Sequence, residues 1–359
     1  MSAAARAVVD TAALRHNLLS VREAAPGSRV MAVIKANAYG HGLVAVARAL
    51  ADADAFAVAR LDEAVALRDA GLAHRIVLLE GVLRSEELSR AAALRLEPVI
   101  HCPEQVSALE QASLDNPLRA WLKIDTGMHR LGFPPGEAVG VARRLMASGA
   151  LAKPPVCMTH LACADEPEET VTRSQLAAFA GAVADLPGDR SAANSAAILA
   201  YPESHMDWVR PGIMLYGVSP FEGRCGADLG LRPVMSLSSP LIAVKDVPAG
   251  GRVGYGGTWT ADRATRIGIA AIGYGDGYPR CLGSTDTPVL LGGRKAQLVG
   301  RVSMDMIAID LTDAGDAAVG DEVTLWGADL PVEILASRAG TIGYELLCGV
   351  TQRVAVSYV

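Results

Sequence analysis

Lys35 stands at the end of an apolar run, in Val33-Ile34-Lys35-Ala36-Asn37-Ala38-Tyr39-Gly40-His41-Gly42. A lysine drawn partly out of water gives up its proton more readily and becomes a nucleophile suited to a Schiff base. On its own it equally fits a lysine that leaves a strand for solvent. Three further residues, read alone, have plain structural readings. Arg210, in Val209-Arg210-Pro211-Gly212-Ile213, fits half of a surface ion pair. Ser195, in Asn194-Ser195-Ala196-Ala197, fits a helix cap. Tyr255, in Gly254-Tyr255-Gly256-Gly257-Thr258-Trp259, fits a turn aromatic in a glycine-rich loop. Aromatics are few, yet six of the 8 tyrosines adjoin glycine: Tyr39, Tyr216, Tyr255, Tyr274, Tyr278 and Tyr344. A core filler needs no such neighbour, whereas glycine allows the tight loops that aim a phenol into a polar site.

Elements that could position these residues follow from the hydrophobic pattern. Short apolar or β-branched runs recur at 29–35, 55–59, 75–80, 96–101, 118–125, 156–161, 191–195 and 208–216. Helical spacing fills most of the intervals, as at 61–70, 85–93, 105–112, 136–148 and 172–184, with Gly71, Gly149 and Gly188 as closing residues. Strand alternating with helix is the pattern of a parallel α/β sheet. Eight such units over about 220 residues fit a (β/α)8 TIM barrel across residues 1–230 better than an open doubly wound sheet. Lys35 then falls at the C-terminal ends of the strands, where barrels place chemistry. Beyond residue 231 the rhythm changes. Strand-like runs at 235–247, 266–272, 288–302, 306–311, 322–326 and 353–359, with short helices at 332–339 and 344–349, describe a mostly β domain over 231–359.

Composition excludes several classes. There are 33 Lys+Arg against 39 Asp+Glu, a net charge of −6. That is the wrong sign for a nucleic-acid partner. A 51% hydrophobic, 20% charged chain is not disordered. No apolar run approaches the roughly 18 residues of a membrane helix, and Arg6 and Asp10 interrupt any leader-like start. The cysteines (Cys102, Cys157, Cys163, Cys225, Cys281 and Cys348) show no metal-ligand spacing. They read as reduced thiols of a cytoplasmic protein that holds no metal. The chain has no H-E-x-x-H, no G-x-S-x-G and no Walker loop, which removes support for metalloprotease and nucleotide readings.

The decapeptide around Lys35 resembles the pyridoxal-phosphate lysine motif of alanine racemases. The resemblance runs on, in order, through Lys123-Ile124-Asp125-Thr126-Gly127-Met128-His129-Arg130-Leu131-Gly132, Thr159-His160-Leu161-Ala162, the Ser195 and Arg210 segments, and the Tyr255 segment. It continues in Gly273-Tyr274-Gly275-Asp276-Gly277-Tyr278-Pro279-Arg280 and Gly300-Arg301-Val302-Ser303-Met304-Asp305. The resemblance implies pyridoxal 5′-phosphate carried on Lys35, with Arg210 facing the pyridine nitrogen. It implies phosphate contacts from Tyr39, Ser195, Gly212, Ile213 and Tyr344, with Asn194 beside them. It implies Lys35 and Tyr255 as the two acid/base groups, Tyr255 coming from the partner in a head-to-tail homodimer. His160 and Arg210 would support that phenol, and Arg130 the substrate carboxylate. Met304 and Asp305 would border the substrate across the interface, and Tyr274 would act as a gate. Lys123 matches a lysine that many members carbamylate.

Two other functions fit parts of this pattern. Decarboxylases of the same scaffold place an acid at the pyridine nitrogen, and Arg210 argues against that. Barrel-only proteins that bind the cofactor without turnover lack the β-rich half that carries Tyr255.

Overall fold

The computed structural model describes residues 5–82, 84–166, 170–284 and 286–359. After an N-terminal strand, β1 (Arg6–Val9), eight parallel strands form one sheet: β2 (Arg29–Val33), β3 (Ala55–Val58), β4 (Arg75–Leu78), β5 (Leu96–Ile100), β6 (Trp121–Lys123), β7 (Val156–Met158), β8 (Arg190–Ser191) and β9 (Trp208–Val209). Its order runs β8-β7-β6-β5-β4-β3-β2-β9. The ends meet through Asp207 N–H to Arg190 O at 3.2 Å, Arg210 N–H to Ala193 O at 2.9 Å, and Ser191 Oγ to Trp208 O at 2.7 Å. The sheet is thus parallel and barrel-like. Helices covering its outer face leave the strands buried on both sides, so they read as continuous apolar runs. Every residue of β3 is fully buried.

The N-terminal end of this sheet is filled by paired charges. Arg29 and Arg75 lie over the Trp208 ring, 4.3 and 4.6 Å from its centroid. Arg29 pairs with Asp189 at 2.6 Å, and Arg75 grips Glu97 through two bonds of 2.7 and 2.8 Å. Trp121 Nε1 donates to the same Glu97 at 2.9 Å. A plugged bottom leaves the opposite, C-terminal end for chemistry.

The second sheet contains β10 (Met235–Val247), β13 (Thr265–Ala270), β14 (Pro288–Leu291), β15 (Arg294–Val299), β16 (Ile307–Asp310), β17 (Glu322–Trp326) and β18 (Ala355–Tyr358), and a separate hairpin joins β11 (Arg252–Val253) to β12 (Trp259–Thr260). The long β10 pairs with β17 through its first half and with β13 through its second. Register shifts at Leu237/Ser238 and Leu241/Ala243 let it bend between the two. This domain is mostly β, with helices Val332–Ala339 and Gly343–Gly349.

Several elements depart from the sequence pattern. Residues 6–9, counted by sequence with the first domain, join the second sheet, where β1 is antiparallel to β10 and parallel to β18. The run 288–302 is a hairpin. Leu291 pairs with Arg294 across Gly292 and Gly293, both at positive φ (54° and 78°), as a two-residue turn requires. The run 208–216 keeps only two strand residues, because Pro211 cannot donate to a ladder, and a tight turn at Ile213–Tyr216 follows. The run 29–35 ends its strand at Val33, before Lys35.

Candidate active site

Lys35 opens a turn, Lys35–Tyr39, at the C-terminal end of β2. Ala36, Asn37, Ala38 and Tyr39 all have φ of 52–53°, a left-handed run of four residues that carry Cβ atoms. Each such residue costs roughly 1–2 kcal/mol, so the surroundings must hold the turn. Ala36 N–H donates to Glu63 Oε1 at 2.7 Å, and Leu43 N–H to Asn37 Oδ1 at 2.9 Å. His41 Nδ1 donates to the carbonyls of Tyr39 at 2.8 Å and Ala38 at 3.1 Å. His41 is fully buried, and burial lowers its pKa to about 4, the two carbonyls offsetting part of the effect. It is therefore a neutral donor. From outside, the second domain closes on the turn. A Cβ at Gly40 would stand 2.2 Å from Leu347 O, and one at Gly42 2.0 Å from the Tyr358 hydroxyl.

Beside this turn lies a polar cradle. Ser195 Oγ accepts from Gly212 N–H at 2.9 Å and Met214 N–H at 3.4 Å. Asn194 caps the helix Ser195–Ala200, its Oδ1 accepting from Ala197 N–H at 3.0 Å, while its Nδ2 donates to Leu161 O at 3.3 Å. Ile213 opens the following turn. A Cβ at Gly212 would lie 2.5 Å from the Tyr39 hydroxyl, so the phenol occupies the space that only glycine leaves. The Tyr39 ring stacks on Tyr216 at 4.6 Å and sits 6.0 Å from Tyr344. Burial foremost raises the pKa of both Tyr39 and Tyr344, so both remain protonated donors.

Arg210 is 3% exposed and bound on three sides. Nη1 donates to Ser191 Oγ at 2.6 Å; Nη2 donates to Thr159 O at 2.5 Å and Ala192 O at 3.1 Å, and lies 3.4 Å from His160 Nδ1. Burial lowers its pKa to about 10, which still leaves it cationic at neutrality. His160 is held well below its usual pKa by burial, then by Arg210, Lys123, Arg130 and Lys35. A neutral His160 accepting at Nδ1 carries its proton on Nε2. Lys123 is pushed well below the usual lysine pKa by burial, then by Arg210 and Arg130, with Asp125 opposing. Lys123, Asp125, Arg130 and His160 line one pocket. Asp125 Oδ1 fixes the loop below Arg130, accepting from the amides of Gly127, Met128 and His129, each at 3.0 Å. The structure thus brings Lys35, Tyr39, Lys123, Arg130, His160, Asn194, Ser195, Arg210, Gly212, Ile213 and Tyr344 to one end of the first domain.

It leaves four sequence candidates elsewhere. Tyr255 is 68% exposed, Met304 53% and Tyr274 41%, all in the second domain. Asp305 pairs with Arg353 at 2.6 Å. Tyr274 N–H donates to Ser303 O at 3.0 Å and Gly275 N–H to Met304 O at 2.9 Å, so the Tyr274 and Met304 turns form one unit. Among the described residues no hydrogen bond or ion pair joins Tyr255 to the Lys35 group.

Three residues at the site escape sequence reading. Glu63 holds the lysine turn. Tyr216 backs Tyr39 and donates to Val33 O at 3.1 Å. Gln175 ties the 160–162 loop to Thr126, Oε1 accepting from Ala162 N–H at 2.9 Å and Nε2 donating to His160 O at 3.1 Å and Thr126 Oγ1 at 3.4 Å. Tyr216 had a signal, its glycine neighbour. Glu63 and Gln175 act across long sequence separations and had none.

The comparisons with known proteins agree along the whole chain. Residues 9–220 match the family model "Alanine racemase, N-terminal domain", and residues 234–358 match "Alanine racemase, C-terminal domain". An alanine racemase from Yersinia pestis bv. Antiqua (strain Angola) is 52% identical over 355 residues, covering 99% of each chain. A crystal structure of a biosynthetic alanine racemase from Pseudomonas aeruginosa superposes with a TM-score of 0.96 at 49% identity, covering 100% of both chains. One from Bartonella henselae, described with covalently bound pyridoxal phosphate, gives 0.89 at 30% identity, again over 100% of both chains. With matches that span both domains and carry the sequence motifs in order, this chain belongs to the alanine racemase family.

Proposed function

We propose that this enzyme, an isomerase of the alanine racemase family, interconverts L- and D-alanine by moving the α-proton between two side chains on opposite faces of bound substrate. The observation that carries the reading is the convergence of Lys35, Arg210 and the Ser195–Gly212 cradle at one end of the barrel-like sheet. The group implied by the family is pyridoxal 5′-phosphate, and the residues present fit it. The cradle offers two hydroxyls and backbone amides where a Cβ at Gly212 would intrude, and Arg210 Nε donates to no described residue. We read the first domain as a (β/α)8 barrel, with the division of the chain near residue 230.

Lys35 would hold the cofactor covalently. Tyr39, Ser195, Gly212, Ile213 and Tyr344 would hold its phosphate, with Asn194 fixing the helix start beside them, and Arg210 would face the ring nitrogen. When bound, pyridoxal phosphate supplies an electron sink that acidifies the Cα–H of an attached amino acid. Arg210 cannot surrender a proton at neutral pH, so it tempers that sink and favours quick return of the proton. Lys35 exchanges the proton on one face. Tyr255 of the partner subunit exchanges it on the other, its phenolate supported by Nε2–H of His160 and, through it, by Arg210. Arg130 pairs with the substrate carboxylate. Lys123, biased toward its neutral amine, takes up carbon dioxide as a carbamate, releases a proton, and braces Arg130. Met304 and Asp305 border the substrate from the partner, and Tyr274 guards the mouth.

Tyr255 sits exposed on the second domain, which supports a head-to-tail homodimer with shared sites. A cytoplasmic location, and a role in supplying D-alanine for peptidoglycan or in D-alanine catabolism, fit this reading. Among the described residues no helix is long and apolar enough to cross a membrane. The test is a racemisation screen over single amino acids with added cofactor, read as loss of optical rotation. Alanine is expected to racemise fastest; no turnover of alanine in cofactor-loaded protein contradicts the reading.

A further inference from the structure

The Glu63 carboxylate makes two kinds of contact, and its own helix needs only one. Glu63 lies in the first turn of the helix Leu61–Asp69. Its Oε2 accepts from the amides of Ala59 at 2.8 Å and Arg60 at 3.2 Å, the reach-back that closes a helix start. Its Oε1 crosses to the neighbouring strand end and accepts from Ala36 N–H at 2.7 Å. Ala36 directly follows Lys35 and begins the left-handed run.

The β2–β3 ladder ends with Ile34 N–H on Ala57 O at 2.9 Å. Parallel pairing, continued, would send Ala36 N–H to Ala59 O. That carbonyl instead accepts Glu80 N–H at 3.3 Å. Glu63 thus supplies the acceptor that Ala36 loses when the chain leaves the sheet and turns left-handed. One ionised carboxylate serves three amides from two strand ends, and a hydrogen bond to a charged acceptor is stronger than a neutral one.

We infer that Glu63 is a positioning residue for Lys35. It fixes the peptide between Lys35 and Ala36, and through it the direction in which the lysine amine leaves the backbone. This rests on the reading of Lys35 as the residue that carries pyridoxal phosphate.

The test compares the full-length parent with Glu63→Asp and Glu63→Gln. Each is stripped of cofactor and titrated with pyridoxal 5′-phosphate, with formation of the lysine-bound species read by absorbance. Thermal melting and amide hydrogen exchange over residues 35–42 and 61–69 are measured on the same cofactor-free samples. Aspartate can still close its own helix but is one methylene too short for Ala36. Glu63→Asp is expected to melt within about 2 °C of the parent. It should exchange faster over 35–42 but not over 61–69, and bind cofactor about 10-fold more weakly. Glu63→Gln, with one acceptor oxygen for three donors, should lose more. Parent-like affinity and absorbance in both variants, with any change confined to melting or to 61–69, would overturn the inference. If the parent itself forms no lysine-bound species, the cofactor reading fails. The exchange arm then still decides the Glu63 contact: acceleration confined to 35–42 supports it, and unchanged exchange there contradicts it.

Discussion

The Lys35 turn and the Tyr255 hairpin are both short, glycine-flanked loops proposed to meet at one reaction centre, yet the chain treats them in opposite ways. Around Lys35, Glu63, Asn37 and His41 hold the backbone by side-chain hydrogen bonds, and Leu347 and Tyr358 close on it from the second domain. Around Tyr255, a two-rung hairpin stands in solvent with its phenol 68% exposed. Strained backbone persists where neighbours over-determine it, and the lysine turn has such neighbours within its own chain. The tyrosine hairpin meets its own chain at Gly300 and the flexible Arg301 and leaves its phenol in solvent, as expected of a loop whose remaining contacts come from another subunit. On the proposed reading, the lysine half of the site would be a property of the fold, and the tyrosine half a property of the assembly.

Three sets of variants test that contrast. The largest effect is expected from Tyr255→Phe. Loss of a positioned acid/base group costs roughly 10²- to 10⁴-fold in rate, and removal of the α-proton from one enantiomer should suffer far more than from the other. Melting should stay within a degree or so of the parent, since the hydroxyl of an exposed side chain contributes little to stability. Isotope exchange from each enantiomer and a thermal scan check both halves; equal, small losses for the two enantiomers would remove Tyr255 from the chemistry.

Next comes a pair of glycine substitutions. Gly40→Ala drives a Cβ into Leu347 O at a position with φ of 82°, and should cost roughly 3 kcal/mol of stability. Gly256→Ala, beside Tyr255, also has positive φ, but its Cβ meets the flexible Arg301 guanidinium at 3.2 Å. It should cost about 1 kcal/mol. Denaturant melts of the two variants would show this ordering, and a reversed order would contradict the division between a fixed and a loose half.

The third effect is one of pH. Unfolded His41 takes a proton below about 6.5, whereas in the folded state burial delays uptake to a pKa of about 4. Between these values the unfolded chain binds more protons, so the contribution is full above pH 6.5 and is lost as pH falls toward 4. Over that window it amounts to about 3 kcal/mol at most, and about 2 kcal/mol between pH 6.5 and 5. Urea melts across this range should show the gap between the parent and His41→Asn narrowing as pH falls; a constant gap would mean that His41 already titrates normally.

Much of this was legible in the sequence because the signals were local. The parallel strands announced themselves as apolar runs buried on both faces, and the helices 85–93 and 332–339 by their spacing. Lys35, Arg210 and Ser195 stand out as candidates because their motifs are short and contiguous. What stayed hidden depends on distant contacts. Nothing in Ala36-Asn37-Ala38-Tyr39 announces four left-handed residues, because the acceptor that stabilises the first of them sits on Glu63. Residues 6–9 carry an ordinary strand pattern that does not name β10 and β18 as partners. The hairpin turn at Gly292-Gly293 is readable from its dipeptide, although the strand-like run 288–302 continues across it.

On the proposed reading, one chain carries the lysine and its partner the tyrosine of each site. The most direct measurement mixes two inactive variants, Lys35→Ala and Tyr255→Phe, under conditions where subunits exchange, and follows racemisation of L-alanine with added cofactor. In a mixed dimer one site bears both changes and the other bears neither, so activity should recover to about a quarter of the parent's at full exchange. No recovery, with mixed dimers demonstrated by mass, would contradict it.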